Sequence, residues 1–129
     1  MKRRTARERG LQALFQIDIS EIDPKEAIEN VMEEETTAPY VEQIVLGTMD
    51  HLQEIDEIIG KHSEHWSFDR LAKVDRNILR IAVYEMKYME DVPFNVAITE
   101  AVQIAKKFSE ERSSKFINGV LSNIKKTLE

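Results

Sequence analysis

The chain has 129 residues, of which 42% are hydrophobic and 33% charged, a length and composition that fit one globular domain with a genuine core. It has no cysteine, which excludes disulfides and thiol chemistry and points to a reducing cytoplasm. No apolar run approaches the roughly 20 residues of a membrane helix, the basic N-terminus lacks a signal peptide's apolar segment, and the net charge of −6 argues at first against a nucleic-acid partner.

Apolar residues recur with a period near 3.6 and nowhere alternate as in a strand, so the chain is predicted to be all-α. The first helix is predicted from about Thr5 to about Ser20, with Ala6, Gly10, Ala13, Leu14 and Ile17 on one face, Leu11 widening it and Phe15 at its far edge. Lys2, Arg3, Arg4, Arg7 and Arg9 place five cations in the first nine residues, against the one acid Glu8. Arg3 and Arg7 are four apart and Arg4 is adjacent, so a helix beginning there projects their guanidinium groups together. Arginine offers forked donors for phosphate and a flat face for stacking on bases. The alternative for so short a cluster is a solubilising tail.

Asp23-Pro24-Lys25-Glu26 reads as a helix start, with Asp23 as N-cap, Pro24 in the first turn and Glu26 placed to close a capping box. That helix carries Ala27, Ile28, Val31 and Met32 and is expected to end in the acidic run Glu33 to Glu35. After a loop, one long helix is predicted as far as Ile59, with Val41, Ile44, Val45, Thr48, Leu52, Ile55 and Ile59 as its stripe and Gly60 as its stop. From Glu26 to Gly60 there are ten acids and no lysine or arginine. The stretch from Lys61 to Lys73 is less regular, and Trp66, Phe68 and Leu71 suggest a short element that plugs the core.

The helix predicted from Val74 to Met89 is apolar around most of its circumference, which marks a central, surrounded element. Its narrow exposed strip is expected to hold Arg76, Arg80 and Lys87, within about 40° of one another on the helical wheel. Glu85 falls in the middle of the apolar arc, where a carboxylate needs a buried backbone end or an arginine as partner. A loop through Pro93 leads to a helix capped by Asn95, with Ile98, Ala101, Val102, Ala105 and Phe108 inward. Residues from Ser109 to Ser114 read as a loop. The last helix, from about Ser114, carries Ile117, Val120, Leu121, Ile124 and Leu128, with Phe116 at the edge of the arc. Gly119 inside it costs up to about 1 kcal/mol relative to alanine, which suggests a close helix crossing. The sum is a single compact domain over residues 1–129 with about six to seven helices.

No phosphate loop, dinucleotide fingerprint or GxSxG occurs, and no catalytic residue, metal site or cofactor is expected. His62 and His65 are spaced i, i+3, but zinc wants three or four ligands and the only other histidine is His51. Basic character instead returns late, in Lys106, Lys107, Arg112, Lys115, Lys125 and Lys126. Arg76 with Arg80, and Arg112 with Lys115, are candidate extensions of the N-terminal cluster, and Phe116 beside Lys115 suits an unstacked base. A chain with such segregated charge can hold a polyanion on one face and stay soluble by the other. A purely protein-binding helical module is the competing reading, and an accessory domain of an RNA-modifying enzyme is a third.

The segments RRTARERGLQALFQ at the N-terminus, VDRNILRIAVYE, DVPFNVAITEAVQIAKKF and SSKFINGVLSNI resemble, in order and spacing, the NusB family of bacterial transcription antitermination factors. The resemblance implies an all-helical fold of two packed helical subdomains and no catalysis. It implies binding to the single-stranded boxA element of ribosomal RNA leader transcripts, pairing with the small-subunit ribosomal protein NusE, and action within the RNA polymerase antitermination complex. By position, Arg3, Arg4 and Arg7 match the arginine-rich RNA-binding start, and Arg112, Lys115 and Phe116 match the region near the last helix that helps hold RNA. Phe15 and Asp75 match positions facing the ribosomal protein. Arg112 stands where some relatives carry an acid, which favours phosphate binding at that point. A homodimer of the free protein is compatible with the resemblance.

Overall fold

The computed structural model describes residues 1–32, 38–63 and 68–129. Among them are seven helices: α1 (Arg3–Ser20), α2 (Pro24–Met32), α3 (Pro39–Asp50), α4 (Leu52–His62), α5 (Lys73–Tyr88), α6 (Phe94–Phe108) and α7 (Glu111–Leu128), with a 3-10 turn at Phe68–Arg70. No strand occurs among the described residues. Helices α1, α2 and α3 pack on one another, and α5 packs on α4, α6 and α7. Contacts of α5 with α1 and α3 join the two groups. The axis of the fold is therefore the helix whose sequence is apolar nearly all round, as its pattern predicts. Leu14, Ile44, Ile55, Ile59, Ile78, Leu79, Ile117, Leu121 and Ile124 are among its fully enclosed side chains.

Local chemistry sets most of the ends. The Asp23 carboxylate accepts the Lys25 N–H at 3.1 Å and caps α2. Helix α1 stops at Glu21, whose left-handed backbone (φ 55°, ψ 28°) sends its N–H back to the Ile17 carbonyl.

The long helix expected up to Ile59 is two helices. It breaks at His51 (φ −118°, ψ 22°), where the imidazole stacks on the Tyr88 ring with centroids 4.0 Å apart. The kink turns α4 so that Ile55 and Ile59 reach the core. Gly60 does not stop α4, which runs to His62, and no glycine among the described residues has the positive φ of a left-handed cap. Helix α6 begins at Phe94 after Pro93, and Asn95 does not cap it; its amide oxygen accepts from Lys125 Nζ at 3.1 Å. Helix α7 starts at Glu111, earlier than expected, because Ser113 and Ser114 find hydroxyl acceptors in Asp75 and in the Glu111 carbonyl. The expected acidic end of α2 at Glu33 to Glu35, together with His65 and Trp66, lies outside the described residues.

The close helix crossing expected at Gly119 occurs instead at Gly47. Gly119 is exposed, and a Cβ built there meets nothing within 4 Å, so no helix crossing explains it. At Gly47 a Cβ would overlap the Tyr84 ring. Glycine at that position lets α3 lie against α5.

Candidate nucleic-acid interface

The N-terminal arginines do not project together. Arg7 points inward, 4% exposed, and Arg3 and Arg4 remain at the surface. Helical geometry puts Arg7 one turn along from Arg3, over α5, where Glu85 is waiting. Its Nε donates to Glu85 at 2.9 Å, and its Nη1 lies 3.4 Å from Glu100. Tyr40 donates its phenolic hydrogen to the same Glu85 carboxylate. The predicted arginine partner of Glu85 is thus present, with a tyrosine besides. Burial drives the Glu85 pKa upward, and the bonds from Tyr40 and Arg7 only partly offset it. Burial and the Glu85 carboxylate together push the Tyr40 phenol up, so it stays a donor.

Arg3 and Arg4 also have acids beside them. Arg3 donates to Asp91 at 2.8 Å and lies over the Tyr40 ring, 4.4 Å from its centroid. Arg4 makes a bidentate pair with Glu100 at 3.0 and 2.8 Å. The hydrogen bonds from these arginines hold both carboxyls below their ordinary range. The cluster is therefore not kept clear of acids; it is a layer of arginines laid over carboxylates of α5, α6 and the turn between them.

Arg76 and Arg80 are not an exposed strip. Arg76 forms a bidentate pair with Asp18 of α1. Arg80, 6% exposed, donates to Asp56 of α4 at 2.8 Å and to the Asn77 amide oxygen at 2.9 Å. Asn77 in turn donates to Asp18 at 2.9 Å, and Phe68 packs against both guanidiniums. Only Lys87 of the expected strip is exposed, paired with Glu54. Placement on a helical wheel could not show that α1 and α4 supply carboxylates on the side where no apolar residue stands.

At the other end of α6 the predicted residues do come together. A groove of about 670 Å³ is lined by Asp75, Phe108, Arg112, Ser113 and Phe116, with Arg70 and Leu71 among its other walls. A second groove of about 380 Å³ holds Phe15, Gln12, Gln16 and Val74 and again Phe108. Phe108, expected inward, ends α6 with 38% of its surface exposed and is the wall common to both grooves. Phe15 and Phe116 are half-buried edges, as their wheel positions predict. Asp75 forms the floor, accepting hydroxyls of Ser109 at 2.7 Å and Ser113 at 2.9 Å, which ties α5 to the start of α7. Lys115 is exposed beside Phe116, and Arg112 is exposed and paired with Glu110 at 2.8 Å.

Arg4 faces Glu100 and the Phe116 groove reaches Phe108, so the two basic areas lie apart by the helical rise of eight residues, roughly 12 Å along α6. Between them runs the Glu8–Lys107 pair at 2.8 Å. Phe108, Tyr40, Asp18 and Glu100 are the functional neighbours that the sequence pattern did not single out. Of these only Phe108 carries a signal in sequence: an aromatic at the end of a helix beside Lys106 and Lys107.

The described residues contain no cluster of three or more side chains arranged to hold a metal, and no helix long and apolar enough to cross a membrane. A family model described as the NusB family matches residues 4–126. The chain belongs to the NusB family. It is 56% identical to the transcription antitermination protein NusB of Bacillus subtilis (strain 168), over all of this chain and 98% of that protein. Its fold is similar to T. maritima NusB, with a TM-score of 0.89 and 37% identity over 98% of this chain and 92% of that one. It is also similar to a chain in a crystal structure of NusB and NusE in complex with double-stranded RNA, with a TM-score of 0.87 and 34% identity over 97% of this chain and 96% of that one. NusB-family membership makes the chain a transcription antitermination factor.

Proposed function

We propose that the chain is a non-catalytic cytoplasmic adaptor, acting as one domain, that binds single-stranded boxA RNA together with NusE and helps RNA polymerase resist termination during ribosomal RNA synthesis. The observation that carries this is the continuous surface around Phe108. It sets an aromatic edge, Phe116, and two cations, Arg112 and Lys115, next to a second aromatic edge, Phe15. An unpaired base stacks on the exposed part of Phe116, and Arg112 and Lys115 neutralise the phosphates beside it. Phe15, on the far side of Phe108, offers an apolar contact of the kind a protein partner covers, while Asp75 forms the floor of the neighbouring Phe116 groove and holds it in shape. The relative solved with NusE and double-stranded RNA supports NusE and RNA as the two kinds of partner.

Arg3 and Arg4 supply a second phosphate contact along α1. Arg7 and Arg76 act differently: both are turned into ion pairs that fasten α1 to α5, and they hold the surface in place without reaching phosphate. The whole protein is anionic, so its own affinity for RNA is modest, and a basic partner beside the RNA raises it by linking the two contacts.

The test is a gel shift with boxA RNA, with and without NusE. Phe116→Ala and the pair Arg3→Ala/Arg4→Ala are each expected to weaken RNA binding about tenfold, and Phe15→Ala to weaken NusE capture while sparing binding to RNA alone. Unchanged RNA affinity in Phe116→Ala and in the arginine double variant would overturn the reading.

A further inference from the structure

Gly119 has no explanation inside the protein. It sits mid-way along α7, where glycine weakens a helix, and nothing lies within 4 Å of the Cβ it lacks. It is exposed, and so are Lys115, Asn118 and Lys126 on the same side of the helix, with Ser122 half-exposed between them. Beside this stripe, between α6 and α7, runs a polar groove of about 470 Å³. Its walls include Asn95, Thr99, Asn118, Ser122 and Lys126, with Lys125 held to Asn95 and to Glu129, the acid that closes the C-terminal end of the groove. No aromatic side chain lines it.

The charge of this part of the chain is uneven. Residues 101–129 contain Lys106, Lys107, Arg112, Lys115, Lys125 and Lys126 against only Glu110, Glu111 and Glu129. Glu111 and Glu129 stand at the two ends of α7; Glu129 lines the end of the groove and pairs with Lys125 at 3.5 Å, which leaves the middle of the stripe without an acid. Among the described residues Lys115 and Lys126 make no ion pair, unlike Arg3, Arg4 and Arg7. These are cations still available to an external anion.

We propose that the groove between α6 and α7 carries the sugar–phosphate backbone of a single-stranded RNA away from the Lys115–Phe116 corner, with Gly119 leaving room for the strand to lie against the helix. The proposal rests on the RNA-binding reading of that corner and extends it. Amides and hydroxyls donate to phosphate and to the 2′-hydroxyl, and lysines neutralise phosphate charge, without reading sequence. An aromatic-free wall holds backbone and leaves bases unstacked, so the groove adds affinity and not sequence choice. A missing Cβ is what close approach of a ligand to a helix backbone requires. An acidic protein segment would satisfy the lysines equally, but it would give the groove no dependence on RNA length.

Fluorescence anisotropy with the full-length chain tests this, using a boxA core RNA and the same core lengthened by about eight unstructured nucleotides at its 5′ or 3′ end, within the site size of a single-strand groove. One of the two lengthened RNAs is expected to bind about tenfold more tightly than the core, with a steeper salt dependence. Ser122→Glu/Lys126→Glu should abolish that gain and leave the core's affinity unchanged, with an unaltered melting curve as the check on folding. Gly119→Ala should raise the melting temperature by about 3–5 °C and lower affinity for the lengthened RNA about threefold. Equal binding of all three RNAs by the unsubstituted chain, or a length gain that survives both sets of substitutions, would overturn the groove while sparing the corner. Failure of the core itself to bind would overturn the corner and the groove with it.

Discussion

Arg7 and Glu85 meet inside the protein as a buried ion pair, with Nε and Nη2 of the arginine each 2.9 Å from the same carboxylate oxygen. The pair joins the first helix to the central one across 78 positions of sequence. Removing one member leaves the other charge buried and unmatched. Arg7→Ala is therefore expected to cost about 3–5 kcal/mol in urea unfolding, and replacing both residues by methionine should recover most of that loss. Arg3→Ala/Arg4→Ala, at the surface, should leave the unfolding midpoint where it is while weakening RNA binding. A destabilised surface double variant, or an Arg7→Ala chain of normal stability, would reverse the division between fastening and binding arginines.

Asp18 gives the protein an acid-sensitive joint. It is shared by Arg76 and Asn77, with Arg80 3.4 Å away. Burial opposes its charge, but the hydrogen bonds from Arg76 and Asn77 and the charges of the two arginines outweigh burial and hold its pKa below the ordinary value. Its folded pKa is depressed, so near and below pH 4 the unfolded chain binds more protons than the folded one at this site. The stability it contributes is complete above the unfolded pKa and is lost as pH falls from about 4 through the depressed folded value. Asp18→Asn should lower stability at pH 7 by about 3 kcal/mol, since it strands Arg76, whereas Arg80 keeps its pair with Asp56. It should also flatten the fall of stability with acidity over that window, as measured by denaturant titrations from pH 7 to pH 3.

The contrast between these joints and the helices explains what the sequence discloses. Periodicity shows α5 to be central because Ile78, Leu79, Ile81 and Val83 leave only a narrow polar strip, and it shows Phe15 and Phe116 to be edges because each sits at the end of an apolar arc. It flags Glu85 as needing a partner because a carboxylate in that arc is costly alone. The wheel also sets Arg7 inside the apolar arc of α1, between Leu14 and Leu11, but it cannot say which acid of another helix lies opposite. The same limit hid the break at His51, whose cause is the Tyr88 ring on a different helix. The misreading of Gly119 has this origin too: a glycine in a helix only permits a close approach, and the neighbours show that no other helix of the described residues makes one there.

Gly47 is the glycine that packing does require. The Tyr84 ring, 7% exposed and stacked 5.6 Å from Tyr88, fills the space its side chain would occupy. Gly47→Ala is expected to destabilise the chain by about 2 kcal/mol, because α3 must move off α5 or the ring must leave its place. The same substitution in a Tyr84→Leu background should cost less, and thermal unfolding of the four chains in that cycle measures the coupling. Additive effects would show that the contact does not set the spacing of the two helices.

Asp91 and Glu100 occupy the donors that Arg3 and Arg4 would turn to phosphate. On the proposed RNA-binding reading, contact at α1 exchanges an internal carboxylate for an external phosphate, and the net gain is the difference between the two contacts. Exposed pairs are weak and screened by salt, so the exchange is open to the RNA. Asp91→Asn should free Arg3 and tighten RNA binding about two- to fivefold at low ionic strength, with the advantage shrinking as salt rises. Glu100→Gln should do the same through Arg4, although part of its effect falls on Arg7, which Glu100 also approaches at 3.4 Å. Anisotropy titrations of both variants at two salt concentrations read the exchange directly. Weaker binding in Asp91→Asn would mean that the carboxylate orients Arg3 for RNA and does not compete with it.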